Sequence, residues 1–276
     1  MRLSLYCEVS LVGVLAVAVG VAAVAQADDV VRIVVLKEHG VGSQTLAQPY
    51  LNKFVDIAGE QNEWTDAKGQ YFTTRDAATA FIESAKPHYG ILSLAAFLAL
   101  KGTYHLTVIG EVAASLAGGR QYFLISKSAS DLPGCKGKTL VTDHADDPRF
   151  IERVVSGGSF KMTDFTLVRT QRPLQTIRQL MNGEAVCALI DDAQFGELSH
   201  LEGGEGIRTV WKSAEFPPMV IVAFPAAPAA ERTRFQETLS RVCDHDGENI
   251  CGEVGIVSLK ASADANFASL IQAYDK

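Results

Sequence analysis

The segment Asp143-His144-Ala145-Asp146-Asp147 places three carboxylates and an imidazole within one short stretch. Carboxylates beside an imidazole can ligate a metal or run general-base chemistry. A hydrolase built on the Asp143/His144 region is the catalytic reading of this cluster. Against it, such a turn is usually solvated, with Asp146 or Asp147 capping the helix that follows. No nucleophile stands paired with a base at a recognisable spacing, and HExxH, GxSxG and P-loop patterns are absent from the sequence. The expectation is therefore a binding protein with no catalytic residue, no metal ligand and no cofactor. Two other stretches offer binding chemistry. Gly42-Ser43-Gln44 opens a helix and presents backbone N–H groups and a hydroxyl, which suit an anionic group, and Ser93-Leu94-Ala95 offers the same. Each residue also has a plain structural role: Ser43 as a helix cap, Asp192 as an N-cap, Asp143 as the holder of a turn.

The elements that must position these residues alternate short β-branched runs with longer amphipathic segments, the pattern of an α/β protein. Residues 30–36, VVRIVVL, read as a strand, followed by a helix over 44–58 with Leu46, Tyr50, Leu51, Phe54 and Ile57 at helical spacing. A strand over 69–74, a helix over 75–86, a buried strand over 90–94, a short helix closed by Gly102 and a strand over 105–113 complete a first unit. After Gly118-Gly119, strands are expected at 121–126, within 131–143, and at 164–170 and 186–191. Helices are expected near 147–156, at 173–184 and from Asp192, so the second unit repeats the plan of the first. Two further strands, 207–213 and 219–225, precede a tail read as helices over 229–243 and 262–275. In open α/β sheets, ligands sit at the carboxyl ends of strands, against helix N-termini.

Residues 1–27 read as a cleavable export signal. An uncharged run from Val9 to Ala25 ends in Ala25-Gln26-Ala27, with small residues at the −3 and −1 positions. The alternative is an uncleaved anchor, since the run is near the lower length limit for a span; it is disfavoured because the run ends directly in the cleavage pattern and is rich in Ala and Gly rather than Leu. Cys7 precedes the apolar run, so it does not read as a lipid attachment site. A periplasmic or secreted chain starting near Asp28 is expected, without stable membrane insertion. The formal net charge is −7, and Arg2 and Glu8 cancel, so the mature chain keeps it; that excludes a general nucleic-acid footprint. Four cysteines remain, and an even count in an oxidising compartment points to two disulfides. Three connectivities are open. A Cys243–Cys251 bridge would close the polar loop DHDGENI and leave Cys135 with Cys187.

Three segments, taken in order after a signal, carry a family likeness. They are GILSLAAFLALKG (90–102), DLPGCKGKTLVTD (131–143), and DFTLVRT with IRQLMNGEAVCALIDD (164–192). The chain resembles the phosphate/phosphonate-type periplasmic solute-binding proteins of ABC importers. The resemblance implies a two-lobed type 2 periplasmic-binding-protein-like fold, each lobe a mostly parallel sheet flanked by helices, with a two-strand crossover hinge. Lobe one would comprise 28–118 plus 219–276 and lobe two 119–218. Cys135 and Cys187 would both precede neighbouring strands, at the end away from the cleft. The implied function is capture of a small polar solute for an ABC permease, by a monomer; a sensing module for a membrane partner is the alternative. The site would be formed by His39, Gly42, Ser43, Thr74 and Ser93 on one side and Asp143, His144 and Asp191 on the other, with Tyr122 on the first crossover and Glu38, Thr73, Arg75, Thr142 and Asp192 beside them. Such proteins usually carry a Ser/Thr/Gly-rich turn after the first strand of lobe two. Here it is acidic, Thr142 to Pro148, which fits a zwitterionic or cationic solute better than a phosphonate.

Overall fold

The computed structural model describes residues 30–39, 44–114, 118–217, 219–253 and 256–276. The proposed signal, and Gly42 and Ser43 of the candidate site, lie outside these residues. The described chain builds two sheets. The first contains β1 (Val30–Leu36), β2 (Asp66–Phe72), β3 (Tyr89–Ser93), β4 (Thr107–Ala114), β10 (Met219–Ala223) and β11 (Ile256–Ala261), in the order β11-β4-β10-β3-β1-β2. The second contains β5 (Tyr122–Ser126), β6 (Thr139–Thr142), β7 (Thr166–Arg169), β8 (Cys187–Asp191) and β9 (Arg208–Lys212), in the order β7-β6-β8-β5-β9.

Packing follows from composition. The central strands MVIVA, YFLIS and CALID are buried along their whole length, as apolar runs must be when helices cover both sheet faces. Helix α1 (Gln44–Asn62) turns Leu51, Phe54, Val55 and Ala58 onto the first sheet at helical spacing. Helices α2 (Arg75–Ala85) and α3 (Leu94–Tyr104) follow β2 and β3 directly, and α5 (Pro173–Met181) and α6 (Asp192–Glu197) do the same in the second sheet.

Three expectations are corrected. The sheets are mixed, not mostly parallel. β1 pairs in parallel with β2 and β3, but β10 runs antiparallel to β3 and β4, and β11 antiparallel to β4. In the second sheet β6 is parallel to β7 and β8, whereas β5 is antiparallel to β8 and β9. The chain enters β5 and β10 by passing from one sheet to the other, without the crossover helix that keeps neighbours parallel. The tail is also not all helix. Between α7 (Ala229–Thr238), α8 (Asp246–Glu253) and α9 (Ala268–Asp275) runs the edge strand β11. Only Leu259 in it is buried, which is why it carries no strong apolar signal. The helix expected near 147–156 is a short π-helical turn, Phe150–Val155.

Two disulfides are formed, Cys135–Cys187 and Cys243–Cys251. The first ties α4 (Leu132–Cys135), just ahead of β6, to the first residue of β8. Among the described residues no helix is long and apolar enough to cross a membrane.

Candidate functional site

Strand register brings the candidate residues together. Leu36 pairs with Phe72 and with Leu92, so β1, β2 and β3 end level, and Lys37–His39, Thr73–Arg75 and Ser93 emerge side by side. Thr142 pairs with Arg169, and Tyr122, at the start of β5, pairs with Asp191 at the end of β8. The turns after β6, β7 and β8 therefore open at one edge of the second sheet, and that edge faces the first. Between them lies a cleft of about 1010 Å³. Glu38, His39, Thr73, Thr74 and Arg75 line it from one side, and Asp143, Asp146 and Thr170 to Leu174 from the other. A small inner recess behind it is walled by Lys37, Ser93, Tyr122, His144, Asp191 and Met219.

The two sides touch. Arg75 makes a two-pronged pair with Glu38 (Nε to Oε1 2.7 Å, Nη2 to Oε2 3.0 Å) and reaches across to Asp147 Oδ2 at 3.0 Å. Glu38 is 8% and Asp147 11% exposed, so these are charges largely out of water. Burial works against the Arg75 cation, but Glu38 first and then Asp147 outweigh it and raise its pKa. Asp147 also accepts from Phe150 N and from the Tyr274 hydroxyl of α9, each at 2.9–3.0 Å. It thus serves as the cap expected of this turn and as an interlobe anchor.

Deeper in, Asp143, His144, Asp191 and Gln194 form one network. Asp191 Oδ1 accepts from Gln194 N, and the Gln194 side chain accepts from Asp191 N, a reciprocal capping box at the start of α6. The N-cap is therefore Asp191 and not Asp192, whose Oδ1 instead accepts from Arg120 N and Gln121 N. Gln194 Nε2 donates to Asp143 Oδ1 and to the Pro173 carbonyl, and its Oε1 lies 2.9 Å from His144 Nε2. The Gln194 amide has one oxygen that must accept and one NH2 that must donate. The Pro173 carbonyl can only accept and the Asp191 N–H can only donate, so His144 Nε2 carries the hydrogen.

His39 faces this network from the other lobe. Its ring meets that of His144 edge-on at 4.5 Å, and its Nδ1 is 3.9 Å from Asp143 Oδ2. Its backbone is left-handed, φ 58°, a conformation uncommon outside glycine and enriched at functional sites. Burial, then His144, push the His39 pKa down to about 3, with Asp143 pulling the other way and Arg75 adding to the lowering. For His144 burial lowers the pKa, but Asp143 and Asp191 together outweigh it and raise it. Ser93 caps α3 and donates to Glu38 at 3.3 Å. Thr74 is the N-cap of α2, with no side-chain capping bond. Tyr122 packs edge-on against His144 at 5.3 Å. Lys37 and Gln194 escaped the sequence reading. Gln194 had a signal in Asp191-x-x-Gln194, a capping-box spacing; Lys37 had none beyond following β1.

Two lobes of mixed sheet flanked by helices, meeting across a polar cleft at strand ends, define a periplasmic-binding-protein fold. Residues 154–267 match the family described as ABC transporter, phosphonate, periplasmic substrate-binding protein. Solved structures share the fold across nearly the whole length. A binding protein component of an ABC phosphonate transporter from Pseudomonas aeruginosa is 13% identical with TM-score 0.65, covering 88% of this chain and 85% of that one. PhnD1 from Prochlorococcus marinus, in complex with methylphosphonate, is 8% identical with TM-score 0.64, covering 89% and 97%. A Xanthomonas citri protein bound to ATP is 9% identical with TM-score 0.69, covering 90% and 97%. No curated protein sequence matches the chain.

Proposed function

We propose that the chain is an exported solute-binding protein that captures a small polar solute between its lobes and presents it to an ABC permease in the periplasm or outside the cell. The observation that carries this reading is the cleft of about 1010 Å³ whose walls come from strand ends of both sheets. A solute touching both walls binds the closed form better than the open one and so stabilises closure. The moving bodies are residues 28–118 with 219–276, and 119–218. The contact set is drawn from His39, Thr74 and Asp143 at the cleft surface, with Ser93, Tyr122, His144 and Asp191 behind them; Gly42 and Ser43 belong to the same proposed set by sequence alone.

The protein binds without turnover. In support, the acidic turn is committed to structure: Asp147 holds Arg75 and caps its own helical turn, and His144 is tied to Gln194. The lining carries Glu38, Asp143 and Asp146 against Arg75 and Arg172, which favours a zwitterionic or cationic solute over a simple dianion. Mass spectrometry of solute retained on the purified protein, with calorimetry in chelator-containing buffer against amino acids, polyamines and methylphosphonate, tests this. Saturable binding of an amine-bearing solute is expected. Tight binding of methylphosphonate that survives Asp143→Asn would overturn the solute class, and binding of no solute would overturn capture itself.

A further inference from the structure

One oxygen in the cleft is left without a partner. Asp143 Oδ2 is buried and accepts no hydrogen bond, on a side chain only 2% exposed. Its twin, Oδ1, takes donors from Thr176 at 2.9 Å and Gln194 at 3.0 Å. The carboxylate is thus held by one oxygen while the other is aimed at His39 of the opposite lobe. An unpartnered buried carboxylate oxygen is costly, and a structure that clamps it in place from the far side has a use for it.

Its surroundings are those of an ion rather than of a hydrogen-bond donor. One ligating atom each from His39, Asp143 and His144 lies within 4.8 Å of the others. Two atoms bound to one zinc-sized ion at its usual bond lengths sit about 3.4 Å apart in a tetrahedron. The 3.9 Å between His39 Nδ1 and Asp143 Oδ2 is within a small closing motion of that. His144 has its Nε2–H fixed on the Gln194 carbonyl, which leaves Nδ1 as its ligating nitrogen. The same Gln194 side chain donates to Asp143 Oδ1. One amide therefore orients two of the three groups from behind, as outer hydrogen-bond partners of metal ligands do. An ammonium group would be served by carboxylates alone. Two imidazoles converging with a carboxylate are the donor set of first-row transition ions.

We propose that His39, Asp143 and His144 bind one divalent transition-metal ion of the zinc class, shared between the lobes. The proposal rests on the solute-capture reading for its location and deepens it. Three protein ligands leave a tetrahedral ion one open position. His39 and Asp143 line the cleft, so that position is reachable by a solute carrying an oxygen or nitrogen donor.

The test uses the full mature chain, stripped with a chelator and titrated with zinc or cobalt(II) chloride. Uptake is read by calorimetry and, for cobalt, by the visible absorption of a low-coordinate ion. One equivalent is expected to bind and to raise the melting temperature. Gln194→Ala should weaken binding about 10–100-fold, and Asp143→Asn or His39→Asn by more than that. Asparagine at 39 tolerates the left-handed backbone, so His39→Asn keeps the test valid even if Asp143→Asn unfolds. Absence of uptake, or uptake unchanged in folded His39→Asn, would overturn the proposal. Solute binding to stripped protein that takes up no metal would overturn it and leave solute capture standing. If that solute is an amine lost with Asp143→Asn, Oδ2 is assigned to the amine. Metal uptake with no solute bound in either form would sustain the metal site and overturn solute capture.

Discussion

Gln194 shows how much a single neutral side chain can organise. It closes the start of α6, fixes the tautomer of His144 and holds one oxygen of Asp143, all in a region shielded from water. Removing it leaves buried partners on several sides unsatisfied, at about 1–3 kcal/mol each. Gln194→Leu keeps the volume and deletes the hydrogen bonds. It is expected to lower unfolding free energy by about 3 kcal/mol, measured by urea titration; a loss within experimental error would show that the network is dispensable. Lys37 is the opposite case. Burial lowers its pKa, and Asp191 and Asp192 offset that only in part. Among the described residues it is the one lysine or arginine walling the inner recess.

At the scale of elements, the disulfides do different work. Cys135–Cys187 closes a loop with sequence separation 52 and Cys243–Cys251 one of 8. If the bridges act mainly on the unfolded chain, the first contributes about 4 kcal/mol and the second about 2.5. Paired alanine substitutions followed through urea unfolding are expected to rank in that order, and the reverse order would argue for strain or local packing instead. Much of this layer was readable in the sequence. Apolar runs such as VVRIVVL and CALID announced strands, and Pro173 and Ser93 announced helix starts. Strand direction was not, because a period of two is the same whichever way a strand runs, and β5 and β10 acquire their direction only by crossing between sheets. Edge strand β11 was missed because a strand with one buried residue has almost no apolar pattern. In the site, Asp143 and His144 stood out as neighbours in the chain, whereas His39 joins them only through the fold. Nothing local in the sequence records that meeting.

At the scale of the whole molecule, the Arg75–Asp147 pair, the contact of His39 with His144 and helix α9 each bridge the lobes among the described residues. The last helix packs beside the π-helical turn. There Arg153 donates to the Tyr274 carbonyl, Arg149 lies over its ring, and the Tyr274 hydroxyl meets Asp147. Arg75→Ala is expected to cost about 2 kcal/mol in stability, less than a fully buried pair because Arg75 is 26% exposed. It should also raise the radius of gyration of the unliganded protein in small-angle X-ray scattering, whereas an unchanged radius would show that the pair does not hold the lobes together. The Arg75–Asp147 pair has a kinetic side as well. It spans the same cleft that would enclose a solute, so an enclosed molecule leaves only after that link has parted. Escape would then be timed by the opening of the protein and not by the strength of any one contact with the guest. Solutes of quite different affinity would share a common upper limit on how fast they can be released.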